Sequence, residues 1–484
     1  MAKTKTIPLS GNSFDFYVPR STGTVAATSK AIPTPVVSTS GKSKYVKPWT
    51  FIRNNFKVTK NVPFGSKGTL ATHFVIRDID IVRASLECGY GRRSKWTSAL
   101  ALSPREATEL SKYLLMRLQM VIACVEVDAN LAKIPRSFYG RVEASEKVAL
   151  SFILGGIGAY LAAQNWLKAG NDSVGAFLHA GIYTKGIGSA SPLVHFTTGS
   201  GKSPDYLVES RQGHWHVFES KGGNVAGRWG RIVEGLVQMS NMPKISWAGQ
   251  VPKAVTTCVC VHTSVDADQV LHVTAVDPPG DGNIAEDSNS VVLIKGVCKL
   301  LLFLETMEQF RALSDDVIAD MEPTMDGWRF ATSSLFGGLL IGIPQLYEKR
   351  ERTVRIRLAV YLAVSEVVGA ETFKGQDGEV RQSLVSLVTE RIKSGAIGEG
   401  NLSVPQLWLG RILNRILETY DNENFLLHCA KYLRLDSISR RLTLSTSEEV
   451  FIRLSQNLPY LLTSGGMYLQ QLTRKRLVPP DALT

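Results

Sequence analysis

Asp205, Glu219 and Lys221 are the residues of this chain whose types and spacing could do chemistry. Asp205 follows Pro204 and leads into a short apolar run, Tyr206-Leu207-Val208. Glu219-Ser220-Lys221 closes a second run that starts at His214. Between the runs lies Arg211-Gln212-Gly213, polar and glycine-containing, as a tight hairpin loop requires. A hairpin centred on Gln212 pairs positions equidistant from it, so Asp205 falls opposite Glu219. Side chains alternate along a strand, so Glu219 and Lys221 share a face with Trp215 and Val217. His214, His216, Phe218 and Ser220 point the other way.

Two carboxylates, a backbone carbonyl and waters suit Mg²⁺ (or Mn²⁺), a hard cation that takes only one or two protein carboxylates. Such a metal polarises a phosphoryl oxygen and lowers the pKa of a bound water. Lys221 adds a compact charge able to orient that water or to neutralise the developing phosphorane. The chemistry indicated is metal-assisted phosphodiester hydrolysis.

Pro204-Asp205 followed by Glu219-Ser220-Lys221-Gly222 resembles the PD-(D/E)xK nuclease superfamily, the restriction-endonuclease-like fold. The resemblance covers about residues 140 to 275. It implies that Asp205 and Glu219 are metal ligands and Lys221 the catalytic lysine. It also implies an acid on the preceding helix as a further ligand, Glu146 or Glu143, with Glu146 preferred. On the helix after the motif, Arg228, Arg231, Gly235 and Gln238 recur at three- and four-residue spacing on one side. The resemblance implies that such basic or Gln residues face the scissile phosphate. Cores of this kind within larger chains look like restriction or phage-defence effectors.

The elements that must position these residues are readable around the motif. Glu146 to about Lys168 is apolar with helical spacing. Leu193 to Thr197 is a strand candidate. Asn224 is a helix N-cap ahead of Val225 to Met239. Ala254 to His262 and Val270 to Val276 are rich in β-branched residues and read as strands. The order expected is helix, hairpin sheet, helix, strand, strand.

The 484 residues, with 44% hydrophobic and 20% charged content, suit a soluble globular protein of two or three domains. The apolar stretch Val148 to Ala163 reads as a buried helix rather than a membrane span. The N-terminus lacks the apolar core of a secretory signal. Six scattered cysteines read as reduced and buried, in keeping with a cytoplasmic protein. Cys258-x-Cys260 reads as core packing.

The net charge of +12 lies wholly in residues 1 to 100, which hold 16 Lys and Arg against 4 Asp and Glu. Such a region attracts polyanions and raises encounter rates with nucleic acid, DNA before RNA. Arg92, Arg93 and Lys95, beside Trp96, are the basic cluster expected to touch it.

The expected fold class is an α/β core with a central mixed sheet flanked by helices. Residues 1–46, rich in Ser, Thr, Pro and Lys, are expected to be a disordered basic tail. Residues 47–135 are expected to form a small α+β module, with strand-like alternation clearest over Thr72 to Val82 and a helix from Pro104 to about Val125. The nuclease-like core spans 136–325. Residues 326–484 are expected to form an α-helical domain, its helices over about 352 to 367, 379 to 393, 404 to 420 and 446 to 462.

Gly199-Ser200-Gly201-Lys202-Ser203 imitates a P-loop, but Phe196 stands where the motif needs glycine, and Pro204-Asp205 replaces the helix. His214 and His216, with His195, read as packing or surface residues. A homodimer would suit double-strand cleavage, and any energy-dependent partner protein would be a separate chain. The alternative is a non-catalytic nucleic-acid-binding or structural assembly protein with a degenerate nuclease core.

Overall fold

The computed structural model describes residues 10–20, 48–65, 68–88, 104–180, 204–239, 244–248, 250–251, 254–267, 269–278, 290–314, 316–318, 327–334, 338–369, 386–390, 406–418, 425–444 and 460–472. Among the described residues, eight strands form one mixed sheet. In chain order, these strands and the helices against them are β1 (Asn12–Pro19), α1 (Pro48–Asn55), β2 (Phe56–Thr59), β3 (His73–Phe74), α2 (Asp78–Glu87), α3 (Ala144–Ala169), β4 (Val174–His179), β5 (Tyr206–Ser210), β6 (Trp215–Gly223), α4 (Arg228–Gln238), β7 (Thr257–Ser264) and β8 (His272–Val276). Across the sheet the order is β2-β1-β8-β7-β6-β5-β4, with β3 also pairing β1. β6 is parallel to β7 and β1 to β8, and the other pairs are antiparallel.

Helices cover both faces. α3 lies on the face that carries His216, Phe218 and Ser220, and α2 packs over it. α4 lies on the opposite face, against Glu219, Lys221 and Cys260, with α1 beside it. The protein is therefore a mixed α/β protein with a large mixed sheet between helical layers. α3 is long and apolar enough to cross a membrane, but most of that stretch is buried inside the protein.

Small residues set the α3–β6 distance. A Cβ on Gly222 would stand 1.9 Å from the Ser151 carbonyl oxygen, and one on Gly155 would stand 3.1 Å from the Lys221 carbonyl. Gly222→Ala must push the helix off the strand that carries Lys221. It is expected to lower stability by about 2 kcal/mol, the usual scale for overpacking a tight core. Gly230→Ala, where a Cβ meets nothing within 4 Å, serves as the control in the same urea titration. Equal midpoints for the two variants would contradict the account.

Several expectations are corrected. The tail expected over 1–46 contains β1, whose Phe14 and Phe16 are buried in the sheet's core. The alternation Asn-Ser-Phe-Asp-Phe-Tyr-Val is a strand signal inside a polar composition. In the small α+β module expected over 47–135, β2 and β3 pair with β1 and so belong to the large sheet. Within it, Thr72 to Val82 is mostly not strand. Asp80 accepts the Arg77 backbone N–H at 2.9 Å and starts α2 there.

The C-terminal third is not all-helical. Asp316–Ile318, Trp328–Ser333, Leu339–Pro344, Tyr460–Leu462 and Tyr468–Gln471 form a five-stranded antiparallel sheet. Leu339–Pro344 is buried throughout, so it lacks the alternation that marks a half-exposed strand. Helices Lys295–Leu313, Gln345–Gly369, Gln406–Glu418, Phe425–Tyr432 and Leu435–Leu444 pack around that sheet and each other. One buried apolar cluster runs from Phe14 to Leu469, so no gap in the core marks 325/326.

Candidate functional site

The hairpin forms in the register centred on Gln212. Tyr206 pairs with Phe218, Leu207 with Val217, Val208 with His216 and Glu209 with Trp215. The loop closes through Ser210 N–H to the His214 carbonyl at 2.8 Å and Gly213 N–H to the Ser210 carbonyl at 3.0 Å. Gly213 has φ +80°, a conformation that glycine adopts without strain.

One residue before β5, Asp205 stands opposite Glu219, and the two are knitted together. The Asp205 N–H donates to Glu219 Oε2 at 3.1 Å, and the Ser220 N–H donates to Asp205 Oδ2 at 2.8 Å. Lys221 Nζ donates to Glu219 Oε1 at 2.7 Å and to Gln238 Oε1 at 2.5 Å. Gly235 of α4 makes room for this arrangement. A Cβ there would lie 2.4 Å from Cys260 Sγ, 3.2 Å from Glu219 Cγ and 3.4 Å from Lys221 Cε.

Electrostatics follow from burial. Glu219 is 1% exposed. Burial first, then the charge of Asp205, push its carboxyl up to about 7, although Lys221 pulls it down. Burial also raises Asp205, partly offset by the Ser220 amide and by Lys221. Burial alone would lower the Lys221 ammonium, but the charge and hydrogen bond of Glu219, with Asp205, raise it. The pair of acids thus has one resident cation and room for more positive charge. A divalent cation bound between them would favour the ionised form of both acids. Asp205 Oδ1, whose sister oxygen is taken by Ser220, and the Glu219 carboxylate are the atoms that could bind it.

The raised Glu219 has a testable consequence. Its folded value of about 7 stands above the ordinary 4.5, so the folded state holds the proton more tightly. That contribution is full below 4.5 and lost as pH rises through 7. Glu219→Gln carries no such group. Without divalent metal, the wild type is expected to lose about 3 kcal/mol relative to Glu219→Gln between pH 4 and pH 8. Urea unfolding of both proteins across that range checks it, and parallel curves would contradict it.

Not every expected residue joins the site. Glu146 is exposed in the first turn of α3, and its charge acts on Cys124 instead. α3 meets β6 at Ser151 and Gly155, which leaves Glu146 at least ~7 Å further along the helix. Among the described residues no group of three His, Cys, Asp or Glu is placed to hold a metal ion. Glu143 is likewise exposed.

α4 begins at Arg228 rather than Val225, because Asn224 Oδ1 accepts the Gly227 N–H at 3.0 Å and closes a turn instead of capping the helix. Gln238 meets Lys221, but Arg231 Nη1 donates to the Gly222 carbonyl at 2.7 Å and Arg228 Nη1 to Thr274 Oγ1 at 3.3 Å. Ten residues of helix span ~15 Å, so residues on one side of α4 reach different strands. Arg92, Arg93, Lys95, His195, the Leu193–Thr197 strand and Gly199 to Ser203 lie outside the described residues.

His216 is buried on the α3 face, its Nδ1 2.8 Å from Thr257 Oγ1, and burial lowers it to about 4. That is packing, as expected. Sequence reasoning missed the placement of Cys260, which pairs with Glu219 across the parallel strands and walls the site. The shared face of Cys258-x-Cys260 was the available signal, and it could be used only with the β6–β7 register in hand. No family model, curated protein or solved structure matches the chain.

Proposed function

We propose that this chain is a Mg²⁺-dependent nuclease of the restriction-endonuclease-like fold that hydrolyses phosphodiester bonds in DNA. The observation that carries the reading is the cluster at one end of a hairpin in which the Glu219 carboxylate accepts from the Asp205 N–H and the Lys221 ammonium while the Asp205 carboxylate accepts from the Ser220 N–H. The element order supports it. α3, the antiparallel strands β4-β5-β6, α4, and β7 parallel to β6 follow the order that the motif implies.

Asp205 Oδ1 and the Glu219 carboxylate would hold the ion. Bound there, Mg²⁺ supplies charge to a phosphoryl oxygen and acidifies a water. Lys221, held by Glu219 and Gln238, sets an ammonium beside the reacting centre, where it orients the attacking water and offsets the charge gained by the phosphorus oxygens. Cys260, Gly235 and the rest of α4 cover the Glu219 carboxylate, which strengthens its charge interactions.

Incubation of supercoiled plasmid with the full chain tests the reading. Nicked or linear DNA is expected with Mg²⁺ and intact plasmid with EDTA. Plasmid that is bound but left intact in Mg²⁺ would overturn it in favour of a binding protein.

A further inference from the structure

We infer that Trp49 and Trp229 form a stacking platform for an unpaired base of single-stranded DNA, beside the site described above. The inference rests on the nuclease reading for its substrate and deepens it. Trp49 lies in α1, where Phe51 and Ile52 turn into the core while Trp49 stays 42% exposed. Its ring lies 4.7 Å from that of Trp229 on α4. Tyr17 of β1 meets Trp229 edge-on at 5.7 Å and holds it in place. The Arg228 guanidinium lies 4.2 Å over the same Trp229 ring.

The surroundings match a nucleic-acid strand in charge. Arg53, Lys57 and Lys60 are exposed on α1 and around β2, and residues 48 to 65 contain no Asp or Glu. Arg20 joins them through a 2.9 Å hydrogen bond to the Arg53 carbonyl. Asp15 of β1 meets His272 Nε2 at 3.0 Å, and the charge of Arg228 also acts on it. Aromatic rings among cations are the combination that binds single strands, since every unpaired base offers a face for stacking. A duplex offers no such face along its length.

The spacing ties the platform to the site. Trp229 and Gln238, which meets Lys221, are nine residues apart on one helix, a rise of ~13 Å. Stacked bases follow one another at ~3.4 Å, so the platform lies about four bases from the Lys221 end of α4. The cations of α1 and β2 thereby lie on the flank of α4.

The test is anisotropy of a labelled 16-nucleotide oligothymidylate titrated with the full chain in EDTA, where no cleavage occurs. The wild type is expected to bind the single strand more tightly than a blunt duplex of equal length. Trp49→Ala is expected to weaken single-strand binding about tenfold and to leave duplex binding unchanged, while Trp49→Phe keeps most of the affinity. Trp49 packs on Trp229, so Trp49→Ala is expected to melt a few degrees below the wild type, and the anisotropy is read well below both melting temperatures.

Equal single-strand affinities for the wild type and Trp49→Ala would overturn the platform, as would a preference for the duplex. Tighter binding of oligouridylate than of oligothymidylate would overturn the choice of DNA. The two readings fail separately. Single-strand binding that depends on Trp49, with both plasmid and single-stranded circular DNA intact in Mg²⁺, removes the nuclease and keeps the platform. Mg²⁺-dependent cutting with Trp49→Ala neutral removes the platform and keeps the nuclease.

Discussion

Lys221→Ala is expected to lower Mg²⁺-dependent cleavage about a thousandfold, the scale seen when a preorganised charge is removed from a reacting centre. The loss should fall on the single-turnover rate rather than on DNA affinity, because the ammonium touches Glu219 and Gln238 and its charge acts on the transition state. Lys221→Arg is expected to restore little. A planar guanidinium is wider than an ammonium and does not reproduce its point contacts to Glu219 and Gln238. Single-turnover assays of the three proteins at saturating enzyme check this. A Lys221→Ala rate within a factor of about two of the wild type would remove lysine from the mechanism.

Asp205→Asn is expected to have an effect of similar size with a different signature. It keeps the shape of the side chain and its place opposite Glu219 but removes one of the two charges available to a cation. Divalent metal affinity should fall about a hundredfold or more, and cleavage with it. The folded protein should become more stable. Asp205 is half-buried, its carboxyl is raised by that burial, and its charge also pushes Glu219 up. Neutralising it removes that repulsion in the metal-free state at pH 8. Lost activity with raised stability separates a functional acid from a structural one. Calorimetric titration with Mn²⁺ and a urea melt at pH 8 measure the two halves. A variant that unfolds at lower urea than the wild type would contradict the electrostatic account of this pair.

The site was more legible than the architecture around it. The hairpin register could be read because a period of two, a polar three-residue loop and a glycine at φ +80° leave few alternatives. That local register alone put Asp205 opposite Glu219. α3 was legible as an apolar run too long for a strand. β1 was not, because its parallel partner β8 lies some 250 residues away and its flanks are rich in Ser, Thr and Pro. The same non-local pairing hid the contact of Trp49 with Trp229 and that of Cys260 with Glu219. Arg228 and Arg231 show the limit of helical spacing, which fixes angle around an axis but not which strand lies below each turn. Composition shifts along the chain likewise do not reveal that β1, β2 and β3 share the large sheet.

The most direct measurement is anomalous diffraction from a crystal of the wild type soaked in Mn²⁺. The account predicts a manganese peak about 2.0 to 2.4 Å from carboxylate oxygens of both Asp205 and Glu219, completed by waters, with Lys221 Nζ beside it. No manganese between the two carboxylates, or a peak held elsewhere on the protein, would contradict it.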